Sequence, residues 1–459
     1  MKNPLLAPEL RELIAGGDTG VLKDFCSSTH PAGVAEFLSA LEPDEIRQVL
    51  SLLDAEPAAE IFHHLDEGMQ TETVERLRRS ELARIVTHMA PDDRVDLLKR
   101  IPEDKQHVLL QALAVAERED VRRLASYEEG TVGSIMTTEY ATLPPSVTVA
   151  QAIERLRVAA PDKETIYYAY VVDEARKLLG FVSLKDLILA PPHRRVEDLM
   201  HPDVISAGVQ DDQESAALLI SKYDLLALPV VNGSGALVGI VTHDDATDVL
   251  MQENTEDMEK LMAIGGSHEA AAYLRTPAWS HFRNRAGWLV GLAVLGLVSG
   301  AIVQSFANLL VQFAILATFM PMLADTGGNT GSQSATLIVR ALALGDVRPR
   351  DVLRVLAKEF AVSGLLALTL ALFCFGRVWL FARGADVTGG LSVARVGFGV
   401  ALALGLQVVT STLIGALLPL GAARLRIDPA VVASPALTTI VDITGLLIFF
   451  TTAKVVLGI

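Results

Sequence analysis

Residues 285–459 contain five long apolar stretches, and these constrain the fold of the chain more than any other feature. They cover 286–304, 309–337, 360–381, 396–420 and 429–457. Each approaches or exceeds the ~20 residues that a helix needs to cross the hydrocarbon core of a bilayer. Because no water satisfies backbone polar groups there, such stretches cross as helices. We therefore predict an α-helical membrane domain with five spans over 285–459.

Basic residues predict the orientation of these spans. They cluster before the first stretch, between the second and third, and between the fourth and fifth. The positive-inside rule assigns those sides to the cytosol, so the C-terminus is expected outside. The clustered residues are Arg275, Arg283, Arg285, Arg340, Arg348, Arg350, Arg354, Lys358, Arg424 and Arg426.

The net charge of −16 is unevenly distributed. Residues 1–275 carry 26 Lys and Arg against 48 Asp and Glu, whereas the remainder is basic. Such acidity excludes nucleic acid as a partner, since phosphates would be repelled, and favours solubility or the collection of divalent cations. Two cysteines, Cys26 and Cys374, provide neither a disulfide framework nor a metal cluster. The N-terminus lacks a secretory apolar core, so residues 1–275 are expected to be cytosolic.

A twelve-residue repeat indicates a helical solenoid over residues 1–130. Several copies continue with Pro and acids, which is typical of a helix start. Twelve residues accommodate one short helix and a turn, and stacked copies would share a core. His63 and His64 are interpreted as part of a solvated polar face, and the alternative is a weak metal site with Glu60 and Glu67. The apolar repeat positions are Leu41, Leu53, Leu65, Leu77, Met89, Ile101 and Leu113.

A second internal repeat covers residues 131–250. Gly180, Ser183 and Asp186 recur 59 residues later as Gly239, Thr242 and Asp245, among short β-rich runs separated by helices. This pattern resembles a tandem pair of CBS modules, each a β-α-β-β-α unit. The resemblance implies that the hydroxyls and acids hold the phosphate and ribose of an adenine nucleotide such as ATP. The alternative is that Ser183 and Thr242 only cap the helices that follow. Residues 251–284 follow as an acidic connecting segment, and the helix pattern there begins at Thr247.

Asp442 lies in the middle of the last apolar stretch. A carboxylate at the centre of a membrane helix costs about 2.5–3.5 kcal/mol, so it is kept where water, a cation or a partner compensates. At helical spacing its neighbours are mostly small and polar, namely Pro435, Thr438, Thr439 and Gly445. The favoured interpretation is a cation path, and the alternative is a hydrogen bond to a neighbouring helix.

The second apolar stretch contains a polar run that gives the resemblance its specificity. Residues 327–336 read GGNTGSQSAT, and residues 441–445 read VDITG. Together they resemble the MgtE family of magnesium channels. The order of parts is also that of the family: helical N domain, CBS pair, connecting helix and five-span pore.

The resemblance implies a homodimer in a bacterial plasma membrane, with a pore at the dimer axis. Asp442 matches the selectivity carboxylate of the family, which grips hydrated Mg²⁺ and so avoids its dehydration cost. Asp428 matches an acid at the cytosolic mouth of the pore. Further residues expected along the cation path are Ala430, Ser434, Asp325 and Asn329.

The regulatory acids of the family also match this chain. They are expected to bind cytosolic Mg²⁺, which would bridge carboxylates that otherwise repel, compact the cytosolic domains and close the pore. For any single acid the alternative is a solvated helix face. The expected ligands are Asp92, Asp96, Glu214, Asp224, Asp245, Asp248, Glu253, Glu256 and Asp257.

These observations predict a Mg²⁺-selective channel that cytosolic Mg²⁺ closes. The alternatives are an ion-coupled divalent-cation transporter or exchanger, for example of Mg²⁺ or Co²⁺, and a metal-sensing scaffold without conduction. No Walker-type loop is found in the sequence, which argues against a P-loop pump, and no enzymatic activity is expected.

Overall fold

The computed structural model describes residues 7–265, 273, 276–381, 392–432 and 435–458. They fall into two compact units that divide between Glu253 and Asn254. The first unit holds the helical repeat and the two β-containing modules, and the second holds the membrane helices.

The described part of the helical repeat has ten short helices. The first two pack mainly on each other, and from the third onward each packs on the next but one along the chain. The predicted apolar positions are at most 5 % exposed, and they lie where one helix ends and the next begins. Pro43 and Pro91 start their helices as expected. The helices are α1 (Ala7–Gly16), α2 (Thr19–Ser28), α3 (Pro31–Leu38), α4 (Pro43–Leu52), α5 (Ala55–His63), α6 (Glu67–Arg76), α7 (Arg79–Val86), α8 (Pro91–Arg100), α9 (Glu103–Ala112) and α10 (Val115–Leu124).

The two modules that follow share one topology. In each three-stranded sheet the first strand is parallel to the second, and the second is antiparallel to the third. The first module comprises β1 (Tyr140–Leu143), α11 (Val149–Ala159), β2 (Thr165–Val172), β3 (Leu178–Ser183) and α12 (Leu184–Leu189). The second comprises β4 (Ala207–Gly208), α13 (Gln213–Tyr223), β5 (Ala227–Val231), β6 (Leu237–Thr242) and α14 (His243–Leu261). The predicted connecting helix is therefore a continuation of the last helix of the second module.

The turn between the last two strands of each module contains one residue with a left-handed backbone. At the 59-residue offset, Arg176 corresponds to Gly235, and both have a left-handed backbone, with φ of 62° and 80°. Glycine adopts this conformation freely, whereas another residue pays about 1–3 kcal/mol. The first module therefore retains a strained arginine where the second has glycine.

The membrane unit contains α15 (Ala278–Ser305), α16 (Ala307–Gln312), α17 (Met320–Ala343), α18 (Val352–Phe381), α19 (Val393–Arg424) and α20 (Pro435–Leu457). Among the described residues, four helices are long and apolar enough to cross a membrane: those that contain α15, α18, α19 and α20. The expected five spans are not confirmed. The stretch 309–337 is divided among α16, a 3-10 segment (Ala314–Phe319) and α17, whose Gly, Thr and Ser residues lower its hydropathy.

Close helix packing in this unit depends on glycine. A Cβ atom on Gly415 would lie 2.3 Å from the Gly331 carbonyl oxygen, so α17 and α19 touch through their backbones. Gly327 and Gly445 likewise leave room for the amide of Gln407, which would be 2.3 Å from a Cβ on either residue. These contacts place the polar run of α17 against α19 and α20.

We predict that Gly415→Ala lowers the melting temperature of the detergent-solubilised protein, because the added methyl forces α17 and α19 apart. Overpacking of this kind costs about 1–3 kcal/mol. Gly421→Ala on the same helix is the matched control, since its Cβ would meet nothing within 4 Å. Equal melting temperatures for the two variants would contradict the close approach.

Candidate divalent-cation sites

Asp442 lies in the middle of α20, half-buried, on the helix that packs against the polar run of α17. Gly327 and Gly331 contact Val441, and Gly328 contacts Thr438. Within the part of the chain that the structure describes, the Asp442 carboxylate forms no hydrogen bond or ion pair. The expected alternative, a hydrogen bond to a neighbouring helix, is therefore not found among these residues. An uncompensated carboxylate at this depth favours a cation path.

Buried polar side chains fix α17 in its position. The Thr330 and Ser411 hydroxyls are 2.7 Å apart, and the Ser334 hydroxyl donates to the Glu359 carboxylate at 2.8 Å. The Gln407 amide donates to the Leu323 carbonyl at 2.9 Å. Sequence reasoning missed Glu359 and Gln407, although each is a polar residue in or beside an apolar stretch, a signal that could have identified both.

Asp325 and Asn329 lie on the exposed side of α17, whereas Gly327, Thr330 and Gly331 form its buried side. Within this chain, these two predicted ligands therefore do not lie on the face of α17 that packs against the neighbouring helices. Ala430 is buried in a short 3-10 helix (Ala430–Val432), and Ser434 lies outside the described residues.

Asp428 is already paired with an internal cation. Its Oδ2 atom is 2.8 Å from the Lys260 ammonium, and its Oδ1 atom accepts a hydrogen bond from the Ala430 amide at 2.9 Å. Lys260 also contacts Glu256 at 2.5 Å. Burial lowers the pKa of Lys260, but the bonds to Asp428 and Glu256 outweigh it and raise that pKa above its usual range. The acid that was predicted at the pore mouth therefore binds the Lys260 ammonium, whereas a Mg²⁺ ion was expected there.

A second group of acids lies within the first unit, where α8 approaches the second module. Burial and the charge of Asp245 raise the pKa of Asp92 well above its usual range. The pKa of Asp245 rises to about 7, first through burial and then through Asp244 and Asp93, although its bond from Thr242 opposes the rise. One buried oxygen of Asp92 accepts no hydrogen bond in the described part of the chain. Asp92, Asp93, Asp244 and Asp245 therefore repel one another, and partial burial of Asp92 and Asp245 strengthens this repulsion.

Three participants in this group were not predicted: Asp93, Asp244 and Glu164. Their charges act on Asp92 or Asp245. His63 belongs to it as well, because its Nδ1 atom is 2.8 Å from Asp93. That hydrogen bond raises the pKa of His63 to about 9 despite the opposing effect of burial. His63 is exposed, as expected, but its ring is also paired with Asp93 on α8, which the sequence did not indicate.

Comparison with known proteins identifies the family. The models of the MgtE intracellular N domain, the CBS domain and the MgtE divalent cation transporter match residues 29–130, 132–193 with 196–252, and 320–452. The magnesium transporter MgtE of Thermus thermophilus is 40 % identical over 98 % of both chains. That of Bacillus subtilis is 34 % identical over 84 % of this chain and 83 % of its own. The chain belongs to the MgtE family.

Two solved structures resemble the first part of this MgtE chain. The cytosolic domain of the Mg²⁺ channel MgtE in complex with ATP is 40 % identical, with a TM-score of 0.51, covering 53 % of this chain and all of that one. The soluble part of a magnesium transporter is 31 % identical, with a TM-score of 0.51, covering 54 % and 97 %.

The other acids that were predicted to bind Mg²⁺ do not all lie near Asp92 and Asp245. Asp248 lies near Asp244, Asp93 and His63, whereas the charges acting on Asp96 come from the helical repeat itself. Burial raises the pKa of Asp96 to about 6, although Arg100 and Lys99 oppose it.

Other predicted ligands lie on α13 and α14. Glu214 and Asp224 lie at opposite ends of the eleven-residue helix α13, roughly 15 Å apart along its axis. Glu253 accepts a hydrogen bond from Gln213 at 2.8 Å. Asp257 is half-buried, one residue after Glu256 on α14. No three His, Cys, Asp or Glu side chains surround one metal position in the described ranges.

The first of the two repeated hydroxyl–acid pairs forms a local helix cap. The Asp186 amide donates to the Ser183 hydroxyl at 3.0 Å, and that hydroxyl donates to the Asp186 carboxylate at 2.6 Å. Thr242 donates to Asp245 in the same way. The geometry of the Ser183–Asp186 pair is therefore that of a helix cap. His201 lies 3.3 Å from Asp186 and adds a third polar group beside this pair.

We predict that the contact between α8 and the second module weakens as pH rises in the absence of Mg²⁺. Asp245 has a folded pKa of about 7, above its unfolded value, so its stabilisation is full below pH ~4 and is lost as pH passes 7. His63, raised to about 9, acts in the same direction. Protease protection of residues 125–132 in chelator should fall between pH 6 and 8.5.

Asp245→Asn should make that profile shallower, because the variant loses no proton at position 245 and only the contribution of His63 remains of the two. Protection that is constant with pH in the unchanged protein would contradict the proximity of these acids.

Proposed function

We propose that this chain forms a Mg²⁺-selective channel, working as a homodimer, that cytosolic Mg²⁺ closes. The observation that carries the proposal is the unpartnered Asp442 carboxylate within α20, beside the Gly-rich run of α17. Relatives named as magnesium transporters cover nearly the whole chain, and a neighbour of the first unit is described as part of a Mg²⁺ channel. Two copies of Asp442 across a dimer axis would grip hydrated Mg²⁺ through its bound water.

Closure would proceed through the acids between α8 and α14. Asp92, Asp93, Asp244 and Asp245 are close enough to perturb one another, so a divalent cation between them would replace repulsion by attraction. Low cytosolic Mg²⁺ would leave the repulsion uncompensated and loosen the contact. This mechanism requires the first unit to face the cytosol and the C-terminus to lie outside.

The CBS pair would bind ATP through the faces near Ser183, Asp186, Thr242 and Asp245. Support comes from the neighbour that was solved in complex with ATP and from the polar group formed by Ser183, Asp186 and His201. Asp245 would then belong to both the nucleotide face and the Mg²⁺-sensing contact.

We predict that Asp442→Asn reduces Mg²⁺ uptake by purified protein in liposomes at least tenfold, because the half-buried carboxylate of α20 is lost while the side-chain volume is kept. Asp346→Asn, which neutralises an exposed acid after α17, is the matched control. Single-channel current without a Na⁺ or H⁺ gradient would distinguish a channel from coupled transport. Normal uptake by a well-folded Asp442→Asn protein would refute the assignment of the pore.

We predict that Asp92→Asn combined with Asp245→Asn abolishes Mg²⁺-dependent compaction of the cytosolic domains, since the repulsion that Mg²⁺ must bridge is removed. Small-angle scattering and protease protection as functions of Mg²⁺ measure the effect. Asp44→Asn with Asp104→Asn, both exposed on the helical repeat, removes the same charge elsewhere. An unchanged Mg²⁺ midpoint in the first variant would place the sensor at other residues.

A further inference from the structure

The first CBS module contains a polar cavity that the proposed function does not use. Its volume is about 300 Å³, and it opens beside β1, the end of α11 and the turn after β2. None of the four residues assigned to the nucleotide faces lines it. The polar lining residues are Thr138, Tyr140, Thr142, Arg155, Lys163 and Arg176.

The cavity is cationic. Arg155, Lys163 and Arg176 converge on it, and none of the described residues that line it is a carboxylate. None of the three forms an ion pair within 4 Å in the part of the chain that the structure describes. The Asp120 carboxylate, whose charge reaches Tyr140, is itself paired with Arg123 at 2.8 Å. Three unpaired positive groups around one small volume favour an anion.

Arg176 is held in place over the cavity. Its guanidinium donates to the Tyr140 hydroxyl at 2.5 Å and lies 5.8 Å from the centre of the Tyr140 ring. Tyr140 is buried, and its hydroxyl donates to the Leu237 carbonyl at 3.0 Å. The backbone is also fixed, because the Leu237 amide donates to the Arg176 carbonyl at 2.9 Å. A fixed guanidinium loses little conformational freedom when it binds an oxyanion.

The second module serves as an internal comparison. Its equivalent of Arg176 is Gly235, which has the same left-handed backbone without strain. Helices α11 and α13 align at an offset of 64, which places Leu219 opposite Arg155 and Val204 opposite Tyr140. Arg155 and Arg176 therefore have no cationic counterpart in the second module. Strained residues persist where the side chain has a use, and here that use is to place a guanidinium at the cavity.

We propose that this cavity binds the phosphate group of a small anionic metabolite. Arginine and lysine with neighbouring hydroxyls are the groups that recognise phosphate oxygens. The volume lies at the lower end of that of ligand pockets, so it suits inorganic phosphate or a small phosphate monoester. The site is separate from the proposed nucleotide faces, and its occupation does not depend on the Mg²⁺ path.

The test is calorimetric titration of the full-length protein in detergent with inorganic phosphate and with ribose 5-phosphate, at constant ionic strength. Arg176→Gly should weaken phosphate binding about tenfold or more, because a charge-assisted hydrogen-bond donor is lost. The same variant should raise the melting temperature without ligand, since glycine adopts the left-handed backbone of this turn without strain. A structural role alone would not combine higher stability with weaker binding.

One variant and one added ligand serve as controls. Arg157→Gln removes a cation from α11 that pairs with Glu154, and it should leave phosphate affinity unchanged. Saturating ATP should also leave it unchanged, which separates this site from the proposed nucleotide faces. Tighter binding of ribose 5-phosphate than of phosphate would identify an organic monoester as the ligand class. Phosphate affinity that is equal in Arg176→Gly and the unchanged protein, or no binding by either, would overturn the proposal.

Discussion

Removing an unpaired carboxylate from water costs free energy, and this cost is the physical constraint on both groups of acids in the chain. Asp442 in α20 and Asp92 on α8 show that cost in two settings, a membrane helix and a contact between domains. Asp442 is half-buried, one oxygen of Asp92 is buried without a hydrogen bond, and the described residues form no ion pair with either carboxylate. Such a charge is stabilised by a cation from solution or by a proton, so both sites respond to what the solution contains.

Asp428 is the opposite case, because the chain itself supplies the cation that neutralises this carboxylate. The Lys260 ammonium contacts both Asp428 and Glu256, so the negative charge at this point is neutralised within the second unit. Mg²⁺ could occupy Asp428 only by displacing this lysine. The contact therefore favours a non-conducting arrangement of the pore mouth under the proposed function. A strongly hydrated ion competes poorly with a fixed ammonium that forms two ion pairs.

Regular patterns in the sequence predicted most of the fold. The twelve-residue repeat specified short helices and buried junctions such as Leu65, and the 59-residue offset matched β3 to β6 residue for residue. The prediction failed where composition alone was used: residues 309–337 are apolar enough to suggest one span, but α17 begins only at Met320. The pairing of Lys260 with Asp428 joins residues far apart in the chain, and no local pattern encodes such a contact.

The candidate cation sites were predicted only in part, again because local sequence patterns do not show contacts between distant residues. Asp442 stands out because an acid in an apolar stretch is anomalous in itself, whereas Asp93 and Glu164 look like ordinary surface acids until the fold brings them beside Asp92 and Asp245. Helix α14 then gives these distant contacts a common element. It carries Asp245 in its first turn and Lys260 in its last, roughly 22 Å apart along one helix. Under the proposed function, a cation bound at the first turn and the ion pair at the last turn would involve the same helix, although neither site is apparent from the local sequence pattern of the other.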